Sequence, residues 1–124
     1  MIFYHGTSPN RWEEIQKEGV LFGVKRWVDD NGTVHDRTDV RRQTYLAVDQ
    51  SEAEAYGTIL LQVEYNPYDE NGEIRTNEKG RKLNTYDPSK WEKREDGHWE
   101  RRHFIVYEPI DITNVQRIEK KRKR

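Results

Sequence analysis

The stretch Ile2-Phe3-Tyr4-His5-Gly6-Thr7-Ser8-Pro9 carries the end of one element and the start of the next. Ile2-Phe3-Tyr4 reads as a short strand with His5 at its end. Ser8 is a good helix N-cap. Pro9 suits the first helical position, where a missing N–H loses no partner. Glu13 and Glu14 follow as first-turn acids, Trp12 and Ile15 share a face, and Gly19 stops the helix. Val20-Leu21-Phe22 then returns to the core. At the strand–helix junction, Gly6 permits a ligand to approach the backbone closely. Thr7 adds a hydroxyl that both donates and accepts. By themselves these residues also read as a turn followed by a helix cap.

Outward from this stretch, residues 25–44 are polar and charged. The Asn31-Gly32 turn signal, with Trp27-Val28 before it and Val34 after it, predicts a loose hairpin or a mobile loop. Thr44-Tyr45-Leu46-Ala47-Val48 reads as a strand. A short helix over roughly 51–56 follows, capped by Asp49 or Ser51 and ending at Gly57. The clearest strand is 58–65, closed by Asn66-Pro67. Residues 66–98 hold the turn signals Glu70-Asn71-Gly72 and Asp96-Gly97 and read as one long hairpin insertion with charged edges. The last strands are 103–107 and 115–118, with Glu108-Pro109 breaking between them. No internal repeat is visible. The sum is one α+β domain over 1–119, with a mixed or antiparallel sheet and two short helices.

The chain has 124 residues, too few for two cored domains. Hydrophobic residues are 32% and charged residues 36%, so the core must be small and lean on four Trp, seven Tyr and three Phe. The absence of Cys excludes disulfides, Cys-based zinc sites and thiol catalysis. No apolar run approaches the roughly 18 residues of a membrane span, and no secretory signal is visible. A cytoplasmic protein of bacterial or phage type, with no membrane partner, is the expectation. Net charge is −1, but the last five residues are all basic. Residues 1–119 carry 17 Lys and Arg against 23 Asp and Glu. The tail 120–124 reads either as a contact for nucleic acid or another polyanion, or as a solvated terminus. His35, His98 and His103 lack metal-ligand spacing, and no phosphate loop, nucleophile elbow or dinucleotide glycine pattern is present. Tyr45 and Tyr56 flank the second helix and read as packing residues or as ligand stackers.

Taken in order, these segments resemble the diphtheria-toxin-like ADP-ribosyltransferases, which include the poly(ADP-ribose) polymerases. Tyr4-His5-Gly6-Thr7-Ser8, followed by Ile15 and Gly19-Val20, is similar to that family's opening. The run from Tyr45 to Gly57 resembles its second block, a Tyr-Phe-Ala strand leading into a helix that ends near a Tyr. Gly57-Thr58-Ile59-Leu60-Leu61-Gln62-Val63 is similar to the strand that follows, and His103-Phe104-Ile105-Val106-Tyr107-Glu108 to a block reading Glu-Tyr-Ile-Val-Tyr-Asp. Residues 24–43 and 66–100 have no counterpart in this comparison.

The resemblance implies a small ADP-ribosyltransferase-like fold with a split β-sheet and NAD+ as substrate. It implies transfer of a single ADP-ribose to an unidentified protein, nucleic-acid or small-molecule acceptor through an oxocarbenium-like state. By the same resemblance, His5 orients the cofactor through the adenosine-side ribose, and the Gly6 backbone holds the nicotinamide amide. Thr7 and Ser51 fall in the cofactor-binding blocks. Tyr45 and Tyr56 close on the two faces of the nicotinamide ring. His103 takes the position at which the family carries its catalytic Glu, and Ala53 that of a Ser. Glu108, an odd offset from His103, belongs on the other face of a strand, and Glu100 needs a bulge to point inward. These departures keep open a degenerate, non-catalytic NAD+- or ADP-ribose-binding or interaction domain. The NAD+-dependent RNA 2'-phosphotransferases also open Tyr-His-Gly-Thr-Ser. Arg41 and Arg42 suit phosphate in that reading, although that branch carries His where this chain has Tyr45.

Overall fold

The computed structural model describes residues 1–24, 26–28, 31–36, 41–93, 99–100 and 102–119. In chain order it contains β1 (Ile2–Thr7), α1 (Pro9–Glu18), β2 (Val20–Leu21), β3 (Arg26–Val28), β4 (Val34–Asp36), β5 (Thr44–Ala47) and α2 (Gln50–Glu54). Then come β6 (Ile59–Glu64), β7 (Glu92–Lys93), β8 (Trp99–Glu100), β9 (His103–Val106), β10 (Ile110–Asp111) and β11 (Val115–Ile118). Short 3-10 turns lie at Pro88–Lys90 and Ile112–Asn114. The main sheet has five strands in the order β11-β6-β1-β5-β9. Every pairing in it is antiparallel, so the α+β reading holds with an antiparallel rather than a mixed sheet. Connections this short suit neighbouring antiparallel strands.

Helix α1 starts as its sequence predicts. The Ser8 side chain accepts the Arg11 N–H, Pro9 opens the helix, and Gly19 ends it in the left-handed region at φ 75°. Glu13 and Glu14 fall in the second turn instead of the first. Strand β1 runs past the expected Tyr4 to Thr7, because β6 pairs with it over its whole length, from Ile2↔Glu64 to Thr7↔Ile59. His5 therefore lies within a strand. Helix α2 begins one residue earlier than expected and is shorter. Asp49 occupies its N-cap position without a capping bond, since its carboxylate is taken by Arg102 at 3.1 Å.

Period-two alternation divides the sheet into two faces. Phe3, Leu46, Leu61, Val63, Phe104 and Val106 form the main core with Ile15 of α1 and Leu21. On the opposite face Ala47, Ala53 of α2 and Leu60 form a smaller cluster with Tyr4 and Ile118. The core leans on rings as the composition predicts: Phe3 meets Phe104 edge-on at 4.7 Å, and Tyr86 meets Phe104 at 5.1 Å.

Two regions differ from the sequence reading. Residues 26–36 form the hairpin alternative, with Val28 opposite Val34. Residues 66–91 are not one long hairpin. They form two successive tight loops, closed by the bridges Tyr68↔Ile74 and Thr76↔Lys82, an offset of eight residues. In each loop one side-chain oxygen, of Asp69 or of Asn77, accepts two backbone N–H groups. Gly72 and Gly80 each take φ 76°. This is a short structural repeat. Asn84 then fastens the segment to the core. Wholly buried, it donates to Pro67 O at 3.0 Å and Tyr65 Oη at 3.1 Å and accepts from the Tyr86 N–H. The only later hairpin turn expected, Asp96-Gly97, and the tail 120–124 lie outside the described residues.

Candidate functional site

The sheet opens between β1 and β5. These strands share one paired position, Tyr4↔Ala47, whereas β1–β6 and β5–β9 pair along their lengths. Two contacts replace the missing ladder. The His5 Nδ1–H donates to the Tyr45 carbonyl oxygen at 2.7 Å. On the α2 side, Gly6 packs so tightly that a Cβ there would lie 2.1 Å from the Ala53 carbonyl oxygen. The glycine thus lets the helix rest on the strand.

A cleft of about 760 Å³ occupies this split, within the range of small-molecule sites. His5, Gly6, Thr7, Tyr45, Tyr56 and His103 all line it. Ser51 does not: it is exposed on α2, one turn away from the lining residues Ala53 and Ala55. Tyr45 and Tyr56 are 44% and 71% exposed, so neither ring is spent on the core. Tyr45 and His103 project from the same face of β5 and β9, with ring centroids 6.0 Å apart and nearly edge-on. The Gln43 side-chain amide donates to Tyr45 Oη at 3.3 Å.

The His5 imidazole is held below its ordinary proton affinity. Burial is the main cause, opposed by its bond to the Tyr45 carbonyl and assisted by the Arg11 charge. It is therefore neutral near pH 7. With its proton committed at Nδ1, Nε2 is an acceptor.

The far wall of the cleft is basic. Arg11, Arg41 and Arg42 line it, and no Asp or Glu does among the described residues. Arg11 is buried to 9% exposure and pairs with Glu14. Arg42 binds Gly23 O at 2.8 Å and Glu18 at 3.1 Å and lies over the Phe22 ring. Arg41 stacks on Tyr107, 4.2 Å from its centroid. Arg11 was not legible as a site residue. Its signal is a cation four residues before Ile15 on the buried face of α1. The hairpin β3–β4 adds Asn31 and His35 to the rim.

Of the acids weighed as substitutes at position 103, Glu108 points away. Its carboxylate accepts from Tyr65 Oη at 2.9 Å and from Arg75 at 2.8 Å, on the main-core side. Burial, with this carboxylate beside it, pushes the Tyr65 hydroxyl far above its ordinary range. The side chain of Glu100 and all of His98 lie outside the described residues. No group of metal-ligating side chains occurs among the described residues, nor is any helix there long and apolar enough to cross a membrane.

Compared with protein-family models, curated proteins and solved structures, the chain matches none.

Proposed function

We propose that the cleft binds NAD+ and that the protein is a mono-ADP-ribosyltransferase. The observation that carries this reading is the convergence of His5, Gly6, Tyr45, Tyr56 and His103 on one cleft, with both tyrosine rings left accessible. Four segments far apart in sequence supply them. A domain that merely shared a sequence pattern would have no need to leave two large rings in water beside a backbone glycine.

The chemistry assigned to the residues follows from their geometry. His5 Nε2 accepts from a ribose hydroxyl, while Nδ1 is fixed on the Tyr45 carbonyl. Tyr45 and Tyr56 supply flat apolar faces for the nicotinamide ring. The basic wall of Arg11, Arg41 and Arg42 suits the diphosphate. In the reaction the bond between the ribose and the nicotinamide nitrogen breaks, and its electron pair leaves with neutral nicotinamide. The positive charge passes to the ribose. The acceptor's nucleophilic atom forms the new bond and releases its proton to solvent. Catalysis of this kind rests on positioning and charge.

A second reading, an NAD+- or ADP-ribose-binding domain without turnover, is favoured by the cleft's lack of a lining carboxylate among the described residues. One NMR time course of NAD+ with the protein separates the two. Growth of free nicotinamide that disappears in His5→Ala supports transfer or hydrolysis. Broadened NAD+ signals with no nicotinamide support the binder. Sharp, unchanged NAD+ signals with no nicotinamide, with candidate acceptors added, overturn both.

A further inference from the structure

Helix α2 brings an acidic side chain to the start of β9, just behind the cleft wall. Glu52 is half-buried, and its Oε1 receives the backbone N–H of Arg102, the residue before His103, at a long 3.4 Å. Its Oε2 is closed off from solvent and has no hydrogen-bond partner among the described residues. A buried acceptor left without a donor is costly, so its retention calls for a reason. Burial pushes this carboxyl above its ordinary range, and neighbouring Asp49 adds to the effect. The Arg102 N–H, His103 and the Arg102 guanidinium pull it down.

The charged groups bearing on Glu52 among the described residues are thus Asp49 on its own helix, Arg102 before β9 and His103 on β9. Asp49 and Arg102 are already joined, the Arg102 guanidinium lying 3.1 Å from both oxygens of Asp49. His103 is the member of the set that also lines the cleft and faces Tyr45.

We propose that Glu52 is a positioning residue for His103. Through the Arg102 N–H it pins the start of β9, and its second oxygen supports the His103 imidazole where the ring meets the cleft. Its charge also offsets that of the imidazolium, which alone would oppose the positive ribose of the transition state. A carboxylate and an imidazole together then serve where one carboxylate would suffice. This rests on the NAD+ reading of the cleft, and the test has an arm that does not.

The first arm uses the ligand-free protein with 13C-labelled Glu carboxyls. The Glu52 signal is assigned by its loss in Glu52→Gln and titrated by NMR in the parent and in His103→Gln. Removing the positive ring should raise the Glu52 midpoint, on the order of threefold in proton affinity. An unmoved midpoint overturns the pairing. The second arm follows nicotinamide release. Glu52→Gln keeps an oxygen for the Arg102 N–H but loses the charge. It should lower kcat about tenfold or more with KM nearly unchanged and alter the pH profile, while Glu52→Asp restores part of the rate. Parent-like kcat and pH profile in Glu52→Gln overturn the proposal. If the parent releases no nicotinamide at all, the transfer reading fails and the titration alone decides whether Glu52 supports His103.

Discussion

His5 has one ring nitrogen committed to the Tyr45 carbonyl and one free to accept, and this makes it sensitive to pH in a defined direction. Its proton affinity in the folded chain is below the ordinary value of 6.5. Between the two values the unfolded chain binds more protons, so stability rises with pH there. Above about pH 6.5 His5 imposes no penalty; below it the penalty grows, and it levels off under the folded value. Urea unfolding at about pH 7.5 and about pH 5 should show a larger loss for the parent than for His5→Gln. Equal losses would place the acid sensitivity elsewhere. Tyr45 gives the complementary prediction. Its ring is 44% exposed, so Tyr45→Ala should leave the unfolding midpoint nearly unchanged. Calorimetry should show NAD+ binding weakened by about 1–3 kcal/mol, the range of base–aromatic stacking, with Tyr45→Phe close to the parent. Undiminished affinity in Tyr45→Ala would remove the stacking role.

Among the elements, α2 depends most on a single absent side chain. A methyl at Gly6 would collide with the Ala53 carbonyl, and backbone cannot swing aside as a flexible side chain does. Gly6→Ala should cost about 1–3 kcal/mol in urea unfolding, as overpacking does, and should also reduce NAD+ binding by lifting α2 from the cleft. A stable Gly6→Ala with parent affinity would mean that the contact is slack. The elements also differ in how far they could be read. Helix α1 was legible because its cap, its proline and its terminal glycine are local signals acting within one turn. The paired loops of 66–82 were not. The two units share only an Asx residue, a Glu and a Gly at matching positions, and just one of the two glycines follows an Asn. What makes them alike is the side-chain oxygen of Asp69 or Asn77 gathering two backbone N–H groups, a bond pattern open to many sequences.

For the molecule as a whole, Asn84 is the fastening between that segment and the sheet. Its amide serves Pro67, Tyr65 and Tyr86 at once with no exposure to water. Asn84→Ala would orphan all three groups and should destabilise the fold by about 1–3 kcal/mol in chemical denaturation. Asn84 does not line the cleft, so NAD+ affinity should be retained in the folded fraction. Lost affinity at full folding would show that the segment steers the site. The sequence by itself determined the local pieces: the capped helix, the alternating strands, the Asn31-Gly32 hairpin and the gathering of chemistry into a few short blocks. These depend on neighbours within a few residues, where propensity and periodicity act. Only the tertiary structure decided that β1 and β5 meet at a single pair and part to form a cleft. It also decided that Tyr45 and Tyr56 stay in water while Ser51 turns away, and that Arg11 and Glu52 come to the walls. Those outcomes depend on strand register and on how α2 seats against Gly6, contacts between residues tens of positions apart that no local pattern encodes.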